Sequence, residues 1–171
     1  MDFRIRLALP DDAPRIAFVH VESWKTTYAG ILPEAFLDTL DIETRTQRWL
    51  DLLTASASQI FVAEDDRGIF GFANGGPLRE PFPPYDGELY AIYLLQARQG
   101  KGAGRLLVRS VASALDEQGF QSMLVWVLSA NPAVGFYNHL EATRLTEKII
   151  PIGGVELPES ALGWPSLSAL L

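Results

Sequence analysis

An α/β domain with a mixed sheet is the fold class that the 171 residues predict, on three observations. Apolar residues alternate in some stretches and recur at helical spacing in others, in the order β-αα-ββ-β-α-β-α-ββ. Proline and glycine clusters fall between these stretches. With 48% hydrophobic residues and no low-complexity tract, the chain has enough apolar side chain for a core of its own. One domain over residues 1–171 is therefore expected, without internal repeat or linker.

Residues 3–9, FRIRLAL, alternate as a strand does. PDDAP then supplies an N-cap and entry prolines for a helix predicted to run to about residue 28. PEAFLDTLD and ETRTQRWLDLLTA form a second helical region ending near Ser56. IFVAED (60–65) and GIFGFANGG (68–76) read as strands of a hairpin turning at Asp66, Arg67 and Gly68. PLREPFPPYDG carries four of the eleven prolines and reads as an irregular loop, because proline has no N–H for a ladder. GELYAIYLL (87–95) is a buried strand. Residues 102–118 follow as a helix with Leu107, Val111 and Leu115 on one side and Gly119 as its stop. MLVWVLS reads as a strand, NPAVGFYNHL as a short helix, and ATRLTEKIIPI and VELPESALGW as the last two strands.

Composition removes several function classes. A net charge of −7 argues against general nucleic-acid binding, which needs clustered Lys and Arg. No apolar run has the length of a membrane span, and MDFRIRLALPDD lacks a leader's charged-then-apolar layout, so a cytoplasmic location away from membranes is expected. Zero cysteines exclude disulfides, thiolate metal sites and an acyl-cysteine intermediate. His20 and His139 stand outside any HExxH or GxSxG pattern, so no metal is expected and both read as structural.

The stretch LLQARQGKGAGR (94–105) joins a buried strand to an amphipathic helix. Free N–H groups and the positive end of the helix dipole favour an anion there, and glycines let it approach the backbone. Arg98, Lys101, Arg105 and Arg109 are four of the fourteen basic residues. The loop is not a P-loop, since Gly102 follows Lys101, nor a dinucleotide fingerprint, since Arg105 stands where the third glycine belongs. On these residues alone, a glycine-rich turn with a solvated basic rim is the other reading.

Around this loop the chain resembles the GCN5-related N-acetyltransferases, which bind acetyl-coenzyme A. Their signature is Gln or Arg, two residues, Gly, one residue, then Gly or Ala, and Gln99-Gly100-Lys101-Gly102-Ala103-Gly104 matches it. The element order is similar over most of the chain. NPAVGFYNHL is similar to the family's second cofactor motif, although Glu141 and Ala142 stand where Gly-Phe is usual. The resemblance implies one α/β domain with a largely antiparallel mixed sheet flanked by helices. It also implies an N-acetyltransferase whose co-substrate is acetyl-coenzyme A, with no metal.

It further implies roles for residues. Backbone N–H groups of Gln99, Gly100, Lys101, Gly102, Ala103, Gly104 and Arg105 would hold the pyrophosphate. Backbone groups of Ile92, Tyr93 and Leu94 would pair with the pantetheine arm and polarise the thioester carbonyl; the same strand also reads as ordinary core. Asn131 would face the cofactor, and before Pro132 it is equally a helix start. Tyr137 is implied as general acid, because a phenol of pKa about 10 keeps its proton until a thiolate of conjugate pKa about 8.5 departs. By itself it reads as a core tyrosine. Glu88, eleven residues before Gln99, matches the glutamate base of the histone-modifying branch. It also reads as a solvated strand end, with a water chain as base. Trp24 and Tyr28, at i and i+4, would wall the acceptor site and hold a cation on their rings, or pack the helix on the sheet.

Three functions follow: acetylation of a small cationic amine by direct attack in a ternary complex, acetylation of a protein or peptide, and non-catalytic binding of acyl-coenzyme A. A small-molecule amine is the expected partner. A homodimer is also expected, with Leu162, Trp164, Leu167 and Leu170 at the contact.

Overall fold

The computed structural model describes residues 3–171. Seven strands form one sheet: β1 (Arg4–Leu7), β2 (Gln59–Asp65), β3 (Gly68–Pro77), β4 (Gly87–Leu94), β5 (Met123–Leu128), β6 (Thr143–Ile152) and β7 (Val155–Trp164). Their spatial order is β1-β2-β3-β4-β5-β7-β6, with every neighbouring pair antiparallel except β4 and β5. The helices are α1 (Ala13–Thr27), α2 (Glu34–Leu37), α3 (Ile42–Ala55), α4 (Ala103–Glu117) and α5 (Ala133–His139). The mixed, mostly antiparallel α/β fold is thus the predicted one. No helix among the described residues is long and apolar enough to cross a membrane.

Local chemistry explains the boundaries. Pro10–Asp12 form a short 3-10 turn, so α1 starts at Ala13, and β1 is shorter than the alternation of residues 3–9 predicts. The second helical region is two helices, because the Asp41 side chain accepts the Thr44 N–H at 2.6 Å and caps α3 afresh. Ser56 ends α3 in the left-handed region, φ 51°. Glu141 also takes positive φ, 63°, where the family usually has glycine. The α5 end nonetheless closes, with the Ala142 N–H on the Tyr137 carbonyl at 3.1 Å.

The sheet separates two apolar layers. On one face α4 buries Leu107, Val108, Val111 and Leu115 against Phe70, Leu89, Met123 and Leu162. On the other, Ile16, Val19 and Trp49 of α1 and α3 cover Ile60, Val62 and Phe72. A third group joins Tyr28, Leu32, Leu37 and Leu128, flanked by Phe36, Ile150, Ile152 and Leu157.

The apolar residues expected at a dimer contact lie inside the fold instead. Because β7 enters the sheet between β5 and β6, Leu162, Trp164 and Leu167 lie in the core at no more than 1% exposure, and Leu170 packs against them. Trp164 Nε1 donates to the Leu140 carbonyl at 2.6 Å. Leu162, Trp164 and Leu167 hold the protein's own layers together and are not available to a second copy.

Candidate active site

Parallel pairing of β4 and β5 extends only over Gly87–Leu89 and Met123–Val125. Beyond that β4 stays with β3 and β5 with β7, so the two strands part and a gap opens. A bulge begins the divergence: consecutive Asn74 and Gly75 face Ala91 and Leu89, leaving Tyr90 as the extra residue. The Tyr90 hydroxyl donates to the Pro77 carbonyl and holds the bulge.

The Leu95 N–H donates to the Phe70 carbonyl at 2.9 Å, which sets the alternation along β4. In this register Tyr93 exchanges bonds with Phe72, whereas the N–H and C=O of Ile92 and Leu94 point away from β3 into the gap. Of the three backbone positions expected at the cofactor, Ile92 and Leu94 thus face the gap. Tyr93 does not, because its backbone is spent on β3. Gln99 Nε2 meets the Leu94 carbonyl at 3.1 Å, tying the glycine loop to this edge.

The loop ends in the first turn of α4. Gly100 and Gly102 have φ of +72° and +88°, and a Cβ at either would meet nothing within 4 Å. Among the described residues, the N–H groups of Gly100, Lys101, Gly102, Ala103, Gly104 and Arg105 have no acceptor. Six unmet donors at the positive end of a fifteen-residue helix fit a diphosphate, and the glycines leave it room. At Gly104 a Cβ would lie 3.3 Å from the Phe136 ring, so close packing of α4 on α5 also requires glycine. Ala103 buries its methyl group in the core. Arg98 leaves the basic set, because it pairs with Asp65 at 2.6 Å; Lys101, Arg105 and Arg109 stay exposed.

Three phenols gather beside the gap. Tyr28 OH lies 3.1 Å from Tyr93 OH, and Asn131 Nδ2 donates to Tyr28 OH at 3.4 Å. Asn131 Oδ1 accepts the Ala133 N–H at 2.9 Å, so Asn131 both starts α5 and positions a tyrosine. Tyr137, 5% exposed, packs its ring against Trp164 and Phe136, while its hydroxyl has no hydrogen-bond partner among the described residues. Burial, and then the nearby Tyr28, push its pKa up, so it holds its proton throughout the neutral range.

Glu88 is buried beneath Arg79. Its Oε2 accepts the Arg79 N–H at 3.0 Å, and its Oε1 accepts Arg79 Nε at 2.9 Å and Arg79 Nη2. The strand end expected to be solvated is therefore a closed ion pair. Trp24 stacks edge-on to Tyr28 at 4.9 Å, and a ring face expected to take a substrate cation holds the protein's own Arg45 at 5.5 Å. Sequence reasoning missed Arg79, whose partner lies across a proline-rich loop without periodicity, and Tyr90, whose bulge has no local signal.

His20 lies beneath this layer, stacked on Tyr93 at 5.2 Å, with Nδ1 accepting Trp49 Nε1–H at 3.1 Å. Burial, and then the charge of Arg45, push its pKa down to about 3. A lowered pKa means that the unfolded chain binds the proton first. The stabilising effect of the neutral ring is therefore present above the unfolded value, near 6.5, and is lost as pH falls towards about 3. Between about pH 7 and about pH 4, His20 is expected to cost roughly 3 kcal/mol of folding stability. Urea melts at both pH values check this, and an equal loss in His20→Leu would assign the effect to other groups.

Comparison with known proteins agrees with this geometry. A family model described as the acetyltransferase (GNAT) family matches residues 21–141. The uncharacterized N-acetyltransferase YuaI of Bacillus subtilis is 46% identical, over 97% of this chain and 95% of that protein. The L-methionine sulfoximine/L-methionine sulfone acetyltransferase of Pseudomonas aeruginosa is 30% identical over 59% of each chain. The fold is similar to that of the PaiA N-acetyltransferase from Thermoplasma acidophilum in complex with coenzyme A, with a TM-score of 0.71, 22% identity, and 94% of this chain and 98% of that one covered. With the family match running from within α1 past the end of α5, and YuaI aligned over nearly its whole length, the chain belongs to the GNAT family of acetyltransferases.

Proposed function

We propose that this protein acetylates the primary amine of a small molecule, with acetyl-coenzyme A and the amine bound together. Acetyl-coenzyme A supplies the activated acetyl group as a thioester. The N–H groups from Gly100 to Arg105 receive its diphosphate, and backbone groups of Ile92 and Leu94 align its arm in the gap between β4 and β5. An N–H turned into that gap polarises the reacting carbonyl. Tyr137 keeps a proton at its hydroxyl for the departing sulfur. Glu88, held by Arg79, acts as a positioning residue that fixes the loop at 78–86 beside the acceptor.

The observation that carries the small acceptor is the packing of α2 on the β6–β7 hairpin. A peptide needs an open groove between the early helices and that hairpin, and Phe36, Leu37, Ile150, Ile152 and Leu157 fill this space together. The name of the Pseudomonas relative, an acetyltransferase of amino-acid analogues, supports the same class.

Thiol release from acetyl-coenzyme A across a panel of primary amines and peptides tests the reading. Turnover of small amines with intersecting initial-rate lines is expected, since the chain has no cysteine to carry an acyl group. Turnover of peptides alone would overturn the small acceptor, and parallel lines would overturn direct attack. Cofactor binding without turnover of any amine would make the protein a binding module.

A further inference from the structure

On that reading of the reaction the acceptor must lose a proton, and Glu159 is a carboxylate to which no motif draws attention. Glu159 faces Leu128, the last residue of β5, on one side of β7 and Lys148 of β6 on the other. Cross-strand partners share a face of the sheet, and Leu128 packs with Tyr28, Leu32 and Leu37. Glu159 therefore stands on the acceptor side, at the end of β5 and beyond the point where β4 and β5 part. Its side chain is only 18% exposed. Among the described residues no N–H or O–H donates to its carboxylate within hydrogen-bond distance.

Lys148 Nζ is 4.0 Å from Glu159 Oε2, but it is nearer to Glu80 at 3.6 Å and lies over the Trp126 ring at 4.0 Å. The contrast with Glu88 decides between the two carboxylates. Glu88 is saturated by Arg79, whereas Glu159 is mostly removed from water with no donor within hydrogen-bond distance, an arrangement whose cost a substrate cation would offset. The charged and titratable groups around it are Lys148 from β6, Arg79 and Glu80 from the loop, Glu88 from β4 and Tyr28 just after α1. Burial raises its pKa above the usual carboxylate value, which makes it a better proton acceptor than a solvated glutamate.

We propose that Glu159 receives the ammonium group of the acceptor and takes its proton. The ammonium gives one proton to a Glu159 oxygen, and the freed lone pair forms the C–N bond as the C–S bond of the thioester breaks. The departing sulfur takes the proton of the Tyr137 hydroxyl, and the second N–H proton of the amine restores that hydroxyl. Glu159 then returns its proton to solvent, so one proton is released per turnover.

The test compares the parent, Glu159→Gln, Glu159→Asp, Lys148→Met and Glu88→Gln, with phenethylamine, cadaverine and L-methionine sulfone as acceptors. For the acceptor turned over fastest by the parent, Glu159→Gln is expected to raise KM roughly 10- to 100-fold and to lose the acid limb of kcat/KM. Its affinity for coenzyme A stays at the parental value, which also reports folding. The amine raises the melting temperature of the parent in the presence of coenzyme A, and this rise disappears in Glu159→Gln. Glu159→Asp, which keeps the charge, recovers part of both effects. In Lys148→Met the acid limb moves to higher pH, because a cation that lowers the Glu159 pKa has been removed. An active parent whose Glu159→Gln variant keeps its amine KM and pH profile overturns the proposal, and loss of the acid limb in Glu88→Gln instead would return the base to Glu88. A parent that turns over none of the amines fails at the previous reading and takes this one with it.

Discussion

Tyr137→Phe is expected to lower kcat by roughly 10²- to 10⁴-fold while acetyl-coenzyme A affinity stays unchanged. The substitution keeps the ring that packs on Trp164 and Phe136 and removes only a hydroxyl without a hydrogen-bond partner among the described residues, so its structural cost is small. The raised pKa has two consequences. It keeps the proton present at every working pH, and it weakens the tyrosine as an acid, so a transfer from Tyr137 would have to accompany the build-up of charge on sulfur. Single-turnover kinetics with calorimetric coenzyme A binding measure the two quantities separately. A kcat within a few-fold of the parent would leave Tyr137 a core residue and require another proton source.

Gly102→Val is expected to abolish the stabilisation that coenzyme A gives the parent. At one hundred times its Kd a ligand contributes about 2.7 kcal/mol, or roughly 5 to 10 °C of melting temperature for a chain of this length. Gly102 has φ of +88°, which a β-branched residue resists, and its Cβ would stand in the open space before the six free N–H groups. Backbone strain alone lowers stability, so a control is needed. Gly119→Val places the same side chain at φ +91° at the other end of α4, also with nothing within 4 Å. It should show the strain and keep the coenzyme A shift. Equal shifts in both variants would mean that the diphosphate does not sit on this loop.

The strands around Ile60, Phe72 and Leu89, and the helix carrying Leu107, Val111 and Leu115, were legible because burial imposes a local period. Glycine spacing between strand and helix likewise marked the loop whose consecutive N–H groups have no acceptor among the described residues. The parting of β4 and β5 was not legible. It depends on Tyr90 standing out of register against Asn74 and Gly75 and bonding to Pro77, contacts made across a turn and a proline-rich loop. Arg79 and Glu88 meet in the same way.

By itself the sequence determined the order of the strands, the α/β class and a glycine-rich loop between β4 and α4, all of which are written in neighbouring residues. Only the tertiary structure decided that β7 enters between β5 and β6, which turns Trp164 and Leu162 from an apolar tail into core. The same insertion brings Glu159 to the end of β5, beside Lys148, on the face shared with Tyr28. Strand order and cross-strand register are set by the burial of whole layers, and no local spacing encodes which carboxylate is left without a donor when they close.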